Sequence, residues 1–216
     1  FDIRNKRAIF EGGRLAEDVV LKNGKKWIKY KAGEQIYFDE GGKVGSGVIA
    51  EEVMMNSIKW ELGSLLSFGK RGELVTARPK NNKTINKYSF KAGEAIDFNE
   101  KGNIYSGTLT ENIKLIGTTP KGEEFEIVFS GGDGIVFHDF EKGIIRSGTL
   151  ASDAAIGQFA FKKGTLLDSY YSNDGKDRIS KGTLARDAVV LVRGEKVKFK
   201  AGTEIEFYQN GDVKEK

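Results

Sequence analysis

Apolar and polar residues alternate with period two in short stretches that recur along the whole chain. Tyr88, Phe90, Ile96 and Phe98 are apolar, while Lys87, Ser89, Lys91 and Asp97 beside them are polar. That period belongs to half-buried β-strands, with one face in a core and the other in water. The pattern is symmetric about Gly93 and about Gly202. It therefore predicts that Phe90 pairs with Ile96, Tyr88 with Phe98 and Phe199 with Ile205, because a slip of one residue would turn a strand's apolar side to solvent.

The stretches are copies of one another. A block with an apolar residue, an aromatic two positions on, Gly three further, Ile or Leu three further and a closing aromatic occurs six times, centred on Gly33, Gly63, Gly93, Gly132, Gly164 and Gly202. The closing aromatic is missing once, at Ser169. A second block, Gly-x-Leu or Gly-x-Ile, precedes each copy: Gly13-Leu15, Gly47-Ile49, Gly72-Leu74, Gly107-Leu109, Gly148-Leu150 and Gly182-Leu184. Three residues past its Leu or Ile stands an acid or Asn: Asp18, Glu52, Asn112, Asp153 and Asp187. Ala77 breaks that rule and Pro79 follows, so the third unit reads as irregular. Residues 1–216 thus read as one repeat domain of about six units, near 13–46, 47–71, 72–106, 107–147, 148–181 and 182–216. The chain opens and closes inside a unit and begins with Phe1, from which an excerpt of a longer or processed array is expected.

Loop lengths set strand direction. Pairing Leu21 with Ile28, Met55 with Ile58, Ile156 with Phe159 and Val190 with Val197 leaves the two-residue loops Gly24-Lys25, Asn56-Ser57, Gly157-Gln158 and Arg193-Gly194. Such loops join antiparallel strands, whereas the alternative, a parallel β-solenoid, needs long crossovers. Leu115 pairs with Ile127 in the same way, across a longer loop containing Pro120. Phe98 opposite Ile104 leaves Glu100-Lys101-Gly102, with counterparts at Glu40-Gly41-Gly42 and Gln209-Asn210-Gly211 and Gly at the left-handed position. Ile104 and Leu109 are both apolar but five apart, which calls for a bulge at Ser106-Gly107-Thr108 and a bend at each repeat. The expected fold is all-β: a tandem repeat of three-stranded antiparallel meander units forming an elongated, rolled sheet.

Composition narrows the chemistry. The chain has 28 Gly, 2 Pro and no Cys, which removes disulfides, thiolate catalysis and Cys-ligated zinc. A formal charge of +4 over 216 residues is too small to name a partner. No apolar run approaches the about 18 residues of a membrane-spanning helix, so no transmembrane segment is expected. Tandem β-hairpin units punctuated by Gly and lined by Tyr, Trp and Phe resemble the MORN and MORN-like repeat proteins in architecture. Here the opening is aromatic-x-x-Gly instead of Tyr-x-Gly, and the units are longer, so no functional residue carries over. The resemblance implies a scaffold or surface-binding role.

Each candidate for chemistry has a plainer explanation in the repeat. His138, the single His, lies on the polar phase beside Asp139, and neighbours on a strand point to opposite faces. The stretches 131–134 and 173–177 carry Gly and Asp as calcium loops do, but each occurs once, where the repeat already needs a turn. The recurrent acids read as turn or edge hydrogen bonders, since a catalytic constellation is unique and these repeat. Lys29, Lys31, Lys87, Lys91, Lys198 and Lys200 share a wet face, and the predicted register sets Lys198 against Glu206 and Lys200 against Glu204. Tyr30, Trp60, Phe90, Phe129, Phe161 and Phe199 form the core ladder.

Trp27, Tyr37 and Tyr208 fall on the polar phase and are the candidate binding residues. The functional expectation is a non-catalytic repeat scaffold or interaction module that binds protein or polysaccharide, in a bacterial cell envelope or secreted, with a cytoplasmic location as the alternative. No metal, cofactor or nucleic-acid partner is expected. The competing readings are a carbohydrate-active enzyme with its carboxylates in the third or fourth unit, and a scaffold that binds anionic lipid through its lysines.

Overall fold

A computed structural model describes residues 2–4, 7–9, 11–118, 124–171, 177–192, 195–208 and 210–214. Every regular element among them is a β-strand, and the chain divides into two compact units, 1–107 and 108–216. Both are antiparallel meanders.

In the first unit the strands Gly12–Arg14, Gln35–Phe38, Val44–Val48, Leu65–Phe68, Leu74–Arg78, Ile96–Phe98 and Ile104–Thr108 lie side by side in chain order. Small two-stranded hairpins interrupt them: Val19–Asn23 with Lys26–Tyr30, Val53–Met55 with Ile58–Trp60, and Lys83–Ile85 with Tyr88–Phe90. The short pair Asp2–Arg4 and Arg7–Ile9 precedes them. The second unit repeats the plan with the sheet strands Gly134–Asp139, Ile144–Thr149, Leu166–Tyr171, Asp177–Thr183 and Glu204–Glu206. Its hairpins are Ile113–Thr118 with Glu124–Phe129, Ala154–Ile156 with Phe159–Phe161, and Ala188–Val192 with Glu195–Phe199.

The hairpins carry the expected register: Leu21 faces Ile28, Met55 faces Ile58, Ile156 faces Phe159 and Val190 faces Val197 across two-residue loops, and Leu115 faces Ile127 across the longer one. Arg193-Gly194, Pro120 and Gln209 lie outside the described residues. The pairs Phe98 with Ile104 and Phe38 with Val44 also hold, and Gly42 and Gly102 take φ of 75° and 80° in the loops between them.

The pairing about Gly93 is different. Phe90 pairs with Lys83 inside its hairpin, and Ile96 pairs with Ala77 and Gly107 in the large sheet. At Gly93 the chain passes from one layer to the other instead of folding back on itself, and Phe199 with Ile205 follows suit. An apolar pattern symmetric about a turn is satisfied equally by a hairpin or by two stacked layers, and stacking buries both arms. It leaves Phe90 and Ile96 almost without exposure.

The stacked layers explain the Gly-x-Leu block. Along the inner face of the first sheet one row reads Ile36, Gly47, Leu66, Ala77, Ile96, Gly107, each opposite the next. The small residues are where hairpin rings lie. A Cβ on Gly47 would sit 2.7 Å from Tyr30, and one on Gly107 would sit 2.6 Å from Phe90. In the second unit Gly148 lies under Phe129 and Gly182 under Phe161 in the same way. Burying each ring stabilises by about 1.5–3 kcal/mol, and the missing side chain is what admits it. Five of the six ladder rings are buried, while Phe199 is only half-buried because no Gly-x-Leu strand follows its hairpin among the described residues.

This row also regularises the third unit. Ala77, not Gly72, occupies the position of Gly47 and Gly107, since it stands between Leu66 and Ile96. Pro79 then takes the place of Leu109, and its carbonyl accepts the Gly93 N–H at 2.8 Å as that of Leu109 accepts the Gly132 N–H at 2.7 Å. Asn82 becomes the counterpart of Asn112. Gly72 is the loop glycine, with φ 80°, matching Gly42 and Gly102. The phase correction is likewise not at Ser106-Gly107-Thr108. Phe98 faces Ile104 and Asp97 faces Ser106, so Tyr105 is the inserted residue. An insertion at Gly107 itself would displace the glycine from under Phe90.

Candidate functional site

The recurrent acids are held by the fold. Asp18 accepts the Ala32 N–H at 2.8 Å, Asp153 that of Lys163 at 2.7 Å and Asp187 that of Ala201 at 2.9 Å. Asn112 and Asn82 do the same for Gly131 and Ala92. In each case the donor is the residue before the central turn glycine, whose own N–H bonds the carbonyl of the Leu in the Gly-x-Leu block, or of Pro79 in the third unit. Two hydrogen bonds thus latch every such turn. Glu52 instead pairs with Lys59 at 2.6 Å. The donated N–H holds Asp18 and Asp187 below the usual carboxylate range, with Lys29 and Lys198 adding to the effect. The turn reading also holds for 131–134, where Gly132 has φ 86°. Residues 173–176 lie outside the described residues.

His138 is exposed, and its Nε2 lies 3.3 Å from the Ser169 carbonyl oxygen. Asp139 turns to Lys142, accepting its N–H at 3.2 Å and pairing with its ammonium at 3.5 Å, so it does not orient the imidazole. Three of the six lysines are matched by nearby acids. Lys29 pairs with Asp18 at 3.3 Å, Lys31 with Glu34 at 3.6 Å and Lys198 with Asp187 at 2.9 Å. The expected pairs of Lys198 with Glu206 and Lys200 with Glu204 do not form. Those strands lie in different layers, and Glu204 meets Lys181 at 3.0 Å while Glu206 meets Lys214 at 3.4 Å.

On the outer face of the sheets the middle row is mostly polar. In the first unit Tyr37, Ser46, Ser67, Thr76, Asp97 and Ser106 form one transverse row. Thr76 and Ser106 donate to the two oxygens of Asp97 at 2.9 and 2.7 Å. In the second unit Ser147, Asp168 and Lys181 stand in the corresponding row, and partial burial raises Asp168 against the pull of Lys181.

The three aromatic candidates are all exposed, Trp27 by 68%, Tyr37 by 52% and Tyr208 by 51%. They do not form one site. Trp27 alternates with buried Ile28 on the outward side of the first hairpin, whose inner ring, Tyr30, lies on Gly47. Tyr37 alternates with buried Ile36 on the far side of the sheet that carries Gly47, so Trp27 and Tyr37 occupy opposite surfaces of the first unit. Tyr208 belongs to the second unit, where Lys214 Nζ lies 5.8 Å from its ring centroid.

Around Trp27 the hairpin register builds a small patch. Lys22 stands directly opposite Trp27, and Val20 opposite Lys29, on the same outward face. Cross-strand neighbours of this kind have Cβ atoms about 4.5–5.5 Å apart. Lys29 is neutralised by Asp18, whereas Lys22 makes no ion pair among the described residues. The second hairpin adjoins the first through a hydrogen bond from Lys26 Nζ to the Met54 carbonyl, and Met54 is also exposed. Lys22 and Met54 escaped the sequence reading, although pairing Leu21 with Ile28 already implies that Lys22 faces Trp27.

No family model matches the chain, and no curated protein matches its sequence.

Proposed function

We propose that the chain is a non-catalytic repeat module that binds an extended macromolecular ligand. One observation carries this reading: a fixed inner row supports an outward face that changes from hairpin to hairpin. The inner row alternates Ile or Leu with Gly or Ala, while the outward pairs run Val20 and Lys29, Met54 and Lys59, Thr84 and Ser89, Lys114 and Val128, Ala155 and Ala160, Val189 and Lys198. Stacked units whose faces differ without disturbing the core are the usual basis of recognition by repeat proteins. Against catalysis in the third unit stands its regular register, with one of its carboxylates, Asp97, hydrogen-bonded to Thr76 and Ser106 on the sheet face. The test is retention of the full chain on immobilised polysaccharides, protein extracts and vesicles at low and high salt. The module reading requires at least one of them to retain it, and a chain that none retains would be a spacer instead.

A further inference from the structure

We propose that the outward face of the first hairpin is a subsite for an acidic polysaccharide, with a sugar ring stacked on Trp27 and its carboxylate met by Lys22. This rests on the module reading above and names its ligand.

The chemistry follows from the patch. Trp27 is the most exposed large apolar side chain among the described residues, and it stands on a two-stranded support. A flat, open surface with one indole suits the apolar face of a pyranose ring, which needs no pocket. Directly across from the ring is Lys22, whose charge has no acidic partner among the described residues, unlike Lys29 two positions along the opposite strand. One ring with one ammonium directly across from it, at cross-strand spacing, fits a sugar bearing an acid. Val20, toward the base of the hairpin, and Met54 of the adjoining hairpin, linked at its turn end through Lys26, are further exposed apolar side chains of this region.

An anionic membrane fits less well. Headgroup attraction accumulates at about 1 kcal/mol per free lysine near the surface, and here Lys29 and Lys59 are neutralised by Asp18 and Glu52. A protein interface of ordinary size needs about 800 Å² per partner with clustered anchors, and Tyr37 lies on the opposite surface.

The experiment is built on fluorescence. The chain contains two Trp, and Trp60 is buried, so acrylamide quenching reports on Trp27. Oligogalacturonate, a neutral oligosaccharide of equal length and phosphatidylserine vesicles are titrated into wild type, Trp27→Ala and Lys22→Gln, with galacturonate affinity also read by calorimetry. Both substitutions are on the exposed face, and thermal melts confirm that the variants fold. The expected result is protection of Trp27 by oligogalacturonate, with affinity lowered about tenfold or more in Trp27→Ala and about fivefold in Lys22→Gln, and weak binding of the neutral sugar. Galacturonate binding unchanged in Trp27→Ala overturns the subsite but leaves the module reading standing. Preference for the neutral sugar, or for vesicles, overturns the acidic-glycan assignment. A wild-type chain that does not bind oligogalacturonate overturns the acidic-glycan subsite, and one that binds none of the three probes, nor anything in the retention assay, removes the module reading itself.

Discussion

Two rows of glycine run through this molecule for opposite physical reasons. Gly107 lies flat under the Phe90 ring, where a Cβ would come within 2.6 Å, and it is not among the residues with positive φ. Gly93 has nothing within 4 Å of a Cβ but holds φ at 74°. The first is required by space and the second by backbone conformation. Ala77, at the position of Gly107 in the neighbouring unit, marks how little the packed row tolerates, since one methyl is the largest departure in it.

The largest expected effect comes from filling the packed row. Gly107→Val should destabilise by about 3 kcal/mol or more in urea unfolding, because a fully buried ring has nowhere to move. Adding Phe90→Leu should recover part of the loss, a coupling of about 1–2 kcal/mol. Strict additivity of the two would break the argument from space.

Tyr30 sharpens the same row, being the one ladder ring with a hydroxyl. Burial, partly offset by the Asn23 side chain, pushes its pKa up to about 12. The folded state then holds a proton that the unfolded chain releases from about pH 10. Stability should therefore be unaffected below pH 10 and fall by up to roughly 2–3 kcal/mol as pH rises to 12. Alkaline melts of wild type against Tyr30→Phe check this, and equal slopes for the two would refute it.

In the turn row the effect is smaller. Gly93→Val should cost about 1–2 kcal/mol through left-handed strain, and Gly93→Asn clearly less. No substitution at Phe90 should rescue it. A rescue, or a Val variant as stable as the Asn variant, would erase the distinction between the rows.

The smallest effect concerns the latch on these turns. Asp18 has a lowered folded pKa, so its contribution is present above about pH 4, the unfolded value, and is lost as pH falls through the lowered folded value. Asp18→Ala should flatten the acid limb of the stability curve slightly. Asp18→Asn should retain the hydrogen bond, as Asn82 and Asn112 do in their own units.

Much of this was legible along the chain. Period-two alternation, two-residue loops and the six-fold spacing specify strands, their antiparallel sense and the hairpin registers, because each depends on residues only a few positions apart. The exposed phase of Trp27, Tyr37 and Tyr208 follows from the same alternation. Their division between surfaces does not, since it depends on which layer each strand joins. The third unit shows the limit most clearly: Gly72-x-Leu74 matches the local motif, yet the residue at the position of Gly47 and Gly107 is Ala77.

What the sequence alone determined, then, is the repeat, the strands and the turns, all consequences of local sterics and of keeping one side of each strand dry. The tertiary structure decided that the arms on either side of Gly93 lie in separate layers, and that the inner glycines exist to receive rings. It also decided that Lys29 and Lys198 meet acids in their own layer and that Lys22 is left beside Trp27. Those outcomes depend on contacts between residues far apart in the chain, and an apolar pattern that either a hairpin or a stacked pair of layers can satisfy does not choose between them.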